Sequence, residues 1–173
     1  IKLNLKKLMR KKLKSNKKPF YPVSSPYITQ KDINSVNQIL KNGWISSDGP
    51  EIKKFEENFS RFIGRKYSVA VSSGTAALEI AIKALNIKEN DEVLIPNFTI
   101  ISNALAVIKQ QAKPVLIDCN LKDWNIKIED IEKNISKKTK AIIITHIYSF
   151  PNEMQKILKI CKKYNLLVIE DAA

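Results

Sequence analysis

Tyr67-Ser68-Val69-Ala70-Val71-Ser72-Ser73-Gly74-Thr75-Ala76-Ala77-Leu78-Glu79-Ile80-Ala81-Ile82 combines a strand pattern, a turn of small residues and a helix pattern in sixteen positions. Its first five residues are rich in β-formers and read as a buried strand, 67–71. Beyond the turn, Leu78, Ile82 and Leu85 recur at helical spacing among good helix formers, which predicts a helix over 75–85. Between them lie small residues and a single glycine. A strand that ends in such a turn and feeds a helix aims backbone N–H groups and the positive end of the helix dipole at one spot. That suits an anion, usually a phosphate. A plainer reading is an ordinary strand-to-helix turn, in which Gly74 supplies positive φ and Thr75 caps the helix.

Downstream the pattern alternates strictly. Strand 92–95 leads through Pro96-Asn97-Phe98 to helix 99–111. Strand 114–118 is followed by a polar excursion and a short helix near 128–135. Strand 141–145 leads to helix 152–164, and strand 166–170 runs into Asp171. Continuous apolar strands between amphipathic helices predict an α/β domain over 67–173, with a mostly parallel sheet covered by helices on both faces. Ligands on such sheets bind beyond the carboxyl ends of the strands, which selects residues 72–75, 96–100, 118–120, 146–149 and 171–173. The chain has 4 glycines, at 43, 49, 64 and 74. Their spacing forms neither G-x-G-x-x-G nor a P-loop, so the expected phosphate is not that of a Rossmann dinucleotide or a P-loop nucleotide.

Upstream, Pro19, Pro22 and Pro26 hold residues 19–28 extended, with Phe20, Tyr21 and Tyr27 as candidate anchors. Thr29 reads as the N-cap of a helix through Asn42, with Ile33, Val36, Ile39 and Leu40 on one face, and Gly43 ends it. The loop Gly43-Trp44-Ile45-Ser46-Ser47-Asp48-Gly49-Pro50 is polar around one tryptophan and reads either as a binding loop or as a connection with Trp44 buried. Pro50 opens the next helix, for which Ile52, Phe55, Phe59, Phe62 and Ile63 form the expected core stripe. Three regions are expected: a basic tail 1–18, an extended segment with two helices over 19–66, and the α/β domain 67–173.

The net charge of +13 invites a nucleic-acid reading, but its distribution argues against one. Residues 1–18 carry nine Lys or Arg and no acid, whereas the remainder carries 21 basic and 17 acidic side chains. The tail could meet nucleic acid or anionic lipid, or be a solvated, partly helical extension. Cys119 and Cys161 belong to no C-x-x-C, and with one histidine, His146, no zinc site is expected. Lone cysteines and the lack of a membrane-length apolar run point to a soluble cytoplasmic protein. The start at Ile1 and the end just after an apolar strand lead us to expect a fragment.

Five blocks then resemble a known pattern, in order and spacing: Ser-Ser-Gly-Thr-Ala-Ala-Leu at 72–78, Ile-Pro-Asn-Phe-Thr at 95–99, Lys-Pro-Val-Leu-Ile-Asp at 113–118, Thr-Lys-Ala-Ile-Ile-Ile-Thr-His-Ile-Tyr at 139–148 and Val-Ile-Glu-Asp-Ala-Ala at 168–173. Residues 20–173 resemble the N-terminal half of a DegT-type nucleotide-sugar aminotransferase, a fold-type-I enzyme dependent on pyridoxal 5′-phosphate. The loop 43–49 resembles the perosamine-synthase-like branch. The resemblance implies that Gly74 and Thr75 hold the cofactor phosphate and that Asp171 pairs with the pyridine nitrogen. A carboxylate there favours the protonated ring, which is the better electron sink. Ile100 stands where the family usually stacks an aromatic ring on the cofactor, and Ser149 where many members have glycine. Trp44, Ser46 and Ser47 are the candidates for touching the sugar nucleotide. His146 lies near the implied site without an assigned catalytic role.

By the same resemblance the Schiff-base lysine and the small C-terminal domain lie downstream of Ala173, so no catalytic residue is assigned in this chain. The implied activity is transfer of an amino group, by resemblance from glutamate, to a nucleotide-linked 4-keto-6-deoxy sugar, in a homodimer serving polysaccharide precursor synthesis. Two alternatives stand beside it. One is a sugar dehydratase of the same superfamily, with histidine in place of the lysine. The other is an inactive fragment or binding module.

Overall fold

The computed structural model describes residues 20–22 and 24–173. The basic tail 1–18 and Pro19 lie outside them. The chain divides into two compact units, with the boundary between Lys54 and Phe55.

In the first unit, helix α1 spans Gln30–Lys41 and starts where the sequence predicts. Thr29 and Asp32 form a capping box: the Thr29 N–H donates to Asp32 Oδ2 at 2.7 Å, and the Asp32 N–H donates to Thr29 Oγ1 at 3.3 Å. The Thr29 hydroxyl, also 2.7 Å from Asp32 Oδ2, and the Thr29 N–H favour the ionised carboxylate and hold the Asp32 carboxyl below its usual range. Asn42 caps the C-terminus, and Gly43 turns the chain out at φ +75°, where an L side chain would be strained. The expected anchors are not anchored, since Phe20, Tyr21 and Tyr27 are all exposed. Trp44 is half exposed, neither fully buried nor free of packing, because the buried Gly49 lies against it.

Helix α2, Pro50–Phe62, crosses from the first unit into the second. Its phenylalanines do not form the expected core. Phe55, Phe59 and Phe62 are exposed, and Phe55 and Phe59 cover each other with ring centroids 5.9 Å apart. The reason lies in the sheet, whose two faces are already covered by later helices.

The second unit continues with α3 (Gly74–Ala84), β1 (Glu92–Pro96), α4 (Ser102–Lys109), β2 (Lys113–Ile117), the single turn α5 (Ile128–Ile131), β3 (Thr139–Thr145), α6 (Met154–Tyr164) and β4 (Leu167–Asp171). The strands form one parallel sheet in the order β2-β1-β3-β4. Side chains alternate between its faces, and both faces are buried. Val93, Ile95, Ala141 and Ile143 pack with Leu78 and Ile82 of α3 and Ala106 and Val107 of α4. Leu94, Ile142 and Ile144 pack on the other side with Ile131 of α5 and Ile157 and Cys161 of α6. Two-sided burial is why these strands read as unbroken apolar runs. Burial also raises the Cys161 thiol pKa, because desolvation disfavours the thiolate.

One predicted strand is absent. Residues 67–71 are extended but join no ladder. They are tied instead to α2, where Ser68 Oγ donates to the Glu56 carbonyl at 2.5 Å and the Ala70 N–H donates to Glu56 Oε1 at 2.8 Å. β-propensity alone does not make a strand, and no described strand lies alongside to complete its hydrogen bonds. Tyr67 and Val69 are exposed accordingly. Among the described residues no helix is long and apolar enough to cross a membrane.

Ile143 is fully buried at the centre of the middle strand. In the intact protein Ile143→Ala is expected to lower unfolding free energy by about 2–5 kcal/mol, measured by urea denaturation.

Candidate functional site

The second unit brings the carboxyl ends of β1, β3 and β4 together at one cleft of about 450 Å³. That volume lies within the usual range for small-molecule sites. Thr99 and Ile100 line it from the loop after β1, Thr145, His146 and Tyr148 from β3 and its following loop, and Asp171 from β4. The parallel register sets this arrangement, since Thr145 and Asp171 are paired positions at the ends of adjacent strands.

A polar network lies beneath Asp171. The Thr99 and Thr145 hydroxyls are 2.9 Å apart. Asn103 Nδ2 lies 2.7 Å from Thr99 Oγ1, 3.0 Å from Thr145 Oγ1 and 3.2 Å from Asp171 Oδ2. The second Asp171 oxygen accepts from the Ala173 N–H at 3.3 Å. Three elements are thereby joined around one carboxylate.

The start of α3 does not belong to the lining of this cleft. Ser73 rather than Thr75 caps α3, accepting from the Ala76 N–H at 3.2 Å, and Gly74 has no positive φ. The plainer reading of this turn is therefore corrected in both details: a serine one residue before the helix makes the cap, and Gly74 is already helical. Thr75 is left with another partner, as its hydroxyl lies 2.9 Å from Ser102 Oγ at the first residue of α4. Two helix starts thus meet at a pair of hydroxyls, with the N–H groups of both first turns lacking acceptors inside their own helices. Lys109 of α4 pairs with Glu79 of α3 and helps hold the two helices side by side.

His146 is held from both sides. Its Nδ1 accepts from the Asn152 N–H at 3.2 Å, which places the ring proton on Nε2, 3.4 Å from Glu170 Oε2. Asn125 and Asn152, both buried, hold the rest of this loop. Asn125 Oδ1 accepts from the Ile147 N–H at 3.3 Å, and Asn152 Nδ2 donates to the Thr145 carbonyl at 2.8 Å. Within the loop, Tyr148 and Ser149 both take left-handed backbone, at φ 49° and 64°.

Of the residues expected from the sequence, Ile100 and Asp171 face the cleft, and Gly74 and Thr75 lie at the first turn of α3 in the same unit. Trp44, Ser46 and Ser47 lie in the unit that ends at Lys54. Sequence reasoning missed Asn103, Asn125 and Asn152. For Asn103 a signal existed, because it shares with Ala106 and Val107 the helical spacing of a buried stripe. Among the described residues no group of His, Cys, Asp and Glu could hold a metal ion.

The strand ends of a parallel sheet meet at one cleft, with the Asp171 network beneath it and the starts of α3 and α4 beside each other in the same unit, which defines an α/β domain with a strand-end cleft. The chain belongs to the DegT/DnrJ/EryC1/StrS aminotransferase family, whose model matches residues 26–173. GDP-perosamine synthase of Escherichia coli O157:H7 is 41% identical over 154 residues, covering 89% of this chain and 42% of that protein. The crystal structure of an aminotransferase from Psychrobacter cryohalolentis is similar at a TM-score of 0.81 and 34% identity, over 90% of this chain and 39% of its own. A GDP-4-keto-6-deoxymannose-3-dehydratase with a trapped PLP-glutamate geminal diamine is similar at a TM-score of 0.82 and 25% identity, over 88% of this chain and 41% of its own. The chain thus spans about two fifths of the length of the relatives it matches.

Left-handed backbone is unfavourable for serine by roughly 1–2 kcal/mol, partly offset by the backbone entropy a glycine loses on folding. Ser149→Gly is therefore expected to stabilise the protein by about 0.5–1 kcal/mol, measured by thermal unfolding.

Proposed function

We propose that the intact protein is a pyridoxal 5′-phosphate-dependent aminotransferase that moves an amino group from glutamate to a nucleotide-linked 4-keto-6-deoxy sugar. The observation that carries this reading is Asp171, a carboxylate at a strand end in the cleft with a buried amide donor on one oxygen. The donor set suits the cofactor. The first turns of α3 and α4, with the Thr75 and Ser102 hydroxyls, suit a dianionic phosphate, and Asp171 suits a basic ring nitrogen that takes up a proton.

In this reading Gly74, through its backbone N–H, and Thr75, through its hydroxyl, bind the phosphate. Asp171 accepts the ring N–H and keeps that proton in place, and Ile100 supplies an aliphatic cover. Ser102 orients the Thr75 hydroxyl. When bound, the cofactor supplies the electron sink on which amino transfer depends. In this reading the Schiff-base lysine lies, by resemblance, downstream of Ala173. Trp44, Ser46 and Ser47 are assigned to the sugar nucleotide, and a second copy of the chain to a homodimer. A cytoplasmic setting belongs to the same reading.

Similarity to a keto-deoxysugar dehydratase supports a second reading, in which the same cleft serves dehydration. The residue at the family's lysine position separates the two, with lysine for amino transfer and histidine for dehydration.

The intact protein is expected to take up pyridoxal phosphate with a visible absorption band that L-glutamate bleaches. Asp171→Ala is expected to stay folded and to lose turnover by about a hundredfold or more, the scale of removing one preorganised electrostatic partner. A reconstituted protein without that band overturns the proposal.

A further inference from the structure

Asn103 is fully buried, and its two amide atoms are unequally served. Nδ2 meets Thr99, Thr145 and Asp171, while Oδ1 is buried without a hydrogen-bond partner. Buried unpaired carbonyls are unfavourable, and native structures keep few of them. Turning the amide over would not relieve the site. It would set Oδ1 against the Asp171 carboxylate and leave both N–H donors in the unpartnered position. The amide therefore presents its nitrogen, not its oxygen, to Asp171 and the two threonine hydroxyls.

We propose that Asn103 is a positioning residue that holds and aims the Asp171 carboxylate, so that Asp171 in turn keeps a nitrogen heterocycle in the cleft protonated. The role rests on the pyridoxal phosphate reading given above. A donor on the carboxylate stabilises its charged form, and a charged carboxylate raises the pKa of a ring nitrogen beside it. Asn103 touches neither the cleft nor a ligand in it, and acts only through Asp171. The flanking hydroxyls complete the arrangement: Thr99 and Thr145 lie 2.9 Å apart and share the two N–H groups of the amide with Asp171, which fixes the side chain from several elements at once.

The test uses the intact protein loaded with pyridoxal phosphate carrying ¹⁵N in the ring, as wild type and as Asn103→Leu. Leucine matches the volume and removes the donor. The wild-type ring nitrogen is expected to show the ¹⁵N shift of a protonated pyridine. In the variant the cofactor binds within about threefold of wild type, because the phosphate site is intact, while the midpoint of ring deprotonation falls by about one pH unit or more. A folded Asn103→Leu protein with an unmoved ¹⁵N shift and midpoint overturns the positioning role alone. A wild type that takes up no pyridoxal phosphate overturns the cofactor reading on which the role rests. Should Asn103→Leu fail to fold, the wild type answers instead. Its Asn103 Nδ2 proton resonances must move when the cofactor is added, and unmoved resonances overturn the role.

Discussion

The contact between Asn103 and Asp171 holds the site together. It spans 68 residues of sequence and joins the first turn of α4 to the end of β4. Thr99 and Thr145 draw the loop after β1 and the end of β3 into the same point. The sheet makes this possible, because its parallel order sets the carboxyl ends of β1, β3 and β4 side by side. The apolar faces secure the sheet, and the buried polar cluster secures the direction of one carboxylate. The two are linked through α4, whose buried stripe contains both Val107 and Asn103.

Much of the fold was legible because its strands are buried on both faces. Val93-Leu94-Ile95 and Ala141-Ile142-Ile143-Ile144 have no polar interruption, and each was placed within two residues of its observed bounds. Segment 67–71 shows where such reasoning stops. Its residues favour extended backbone and adopt it, but a strand also needs a neighbour, which local composition cannot specify. The stripe of α2 teaches the same point. Phe55, Phe59 and Phe62 have helical spacing, and the periodicity was right while the burial was not. Amphipathicity states what a helix can cover, not whether a surface is there to be covered.

The site was legible at its strand ends and illegible beneath them. The rule that ligands lie beyond strand termini selects residues 96–100 and 171–173, the family resemblance singles out Ile100 and Asp171 within them, and both face the cleft. The amides that hold these positions sit in helices and loops where asparagine is common on surfaces, so Asn125 and Asn152 carried no signal. Asn103 did carry one, as a polar residue at a buried helical position. Ser149 stands, by resemblance, where many members have glycine, and the backbone gives the reason, since it takes φ 64°.

The proposed arrangement sets a pyridine ring at Asp171 and its phosphate at the start of α3. The most direct measurement is a crystal structure of the intact protein with pyridoxal phosphate bound. The ring nitrogen is expected within hydrogen-bonding distance of the Asp171 carboxylate, about 3 Å, and the phosphate at the N–H groups of Gly74 and Thr75. A phosphate seated away from the start of α3, or a ring nitrogen that faces away from Asp171, would contradict it.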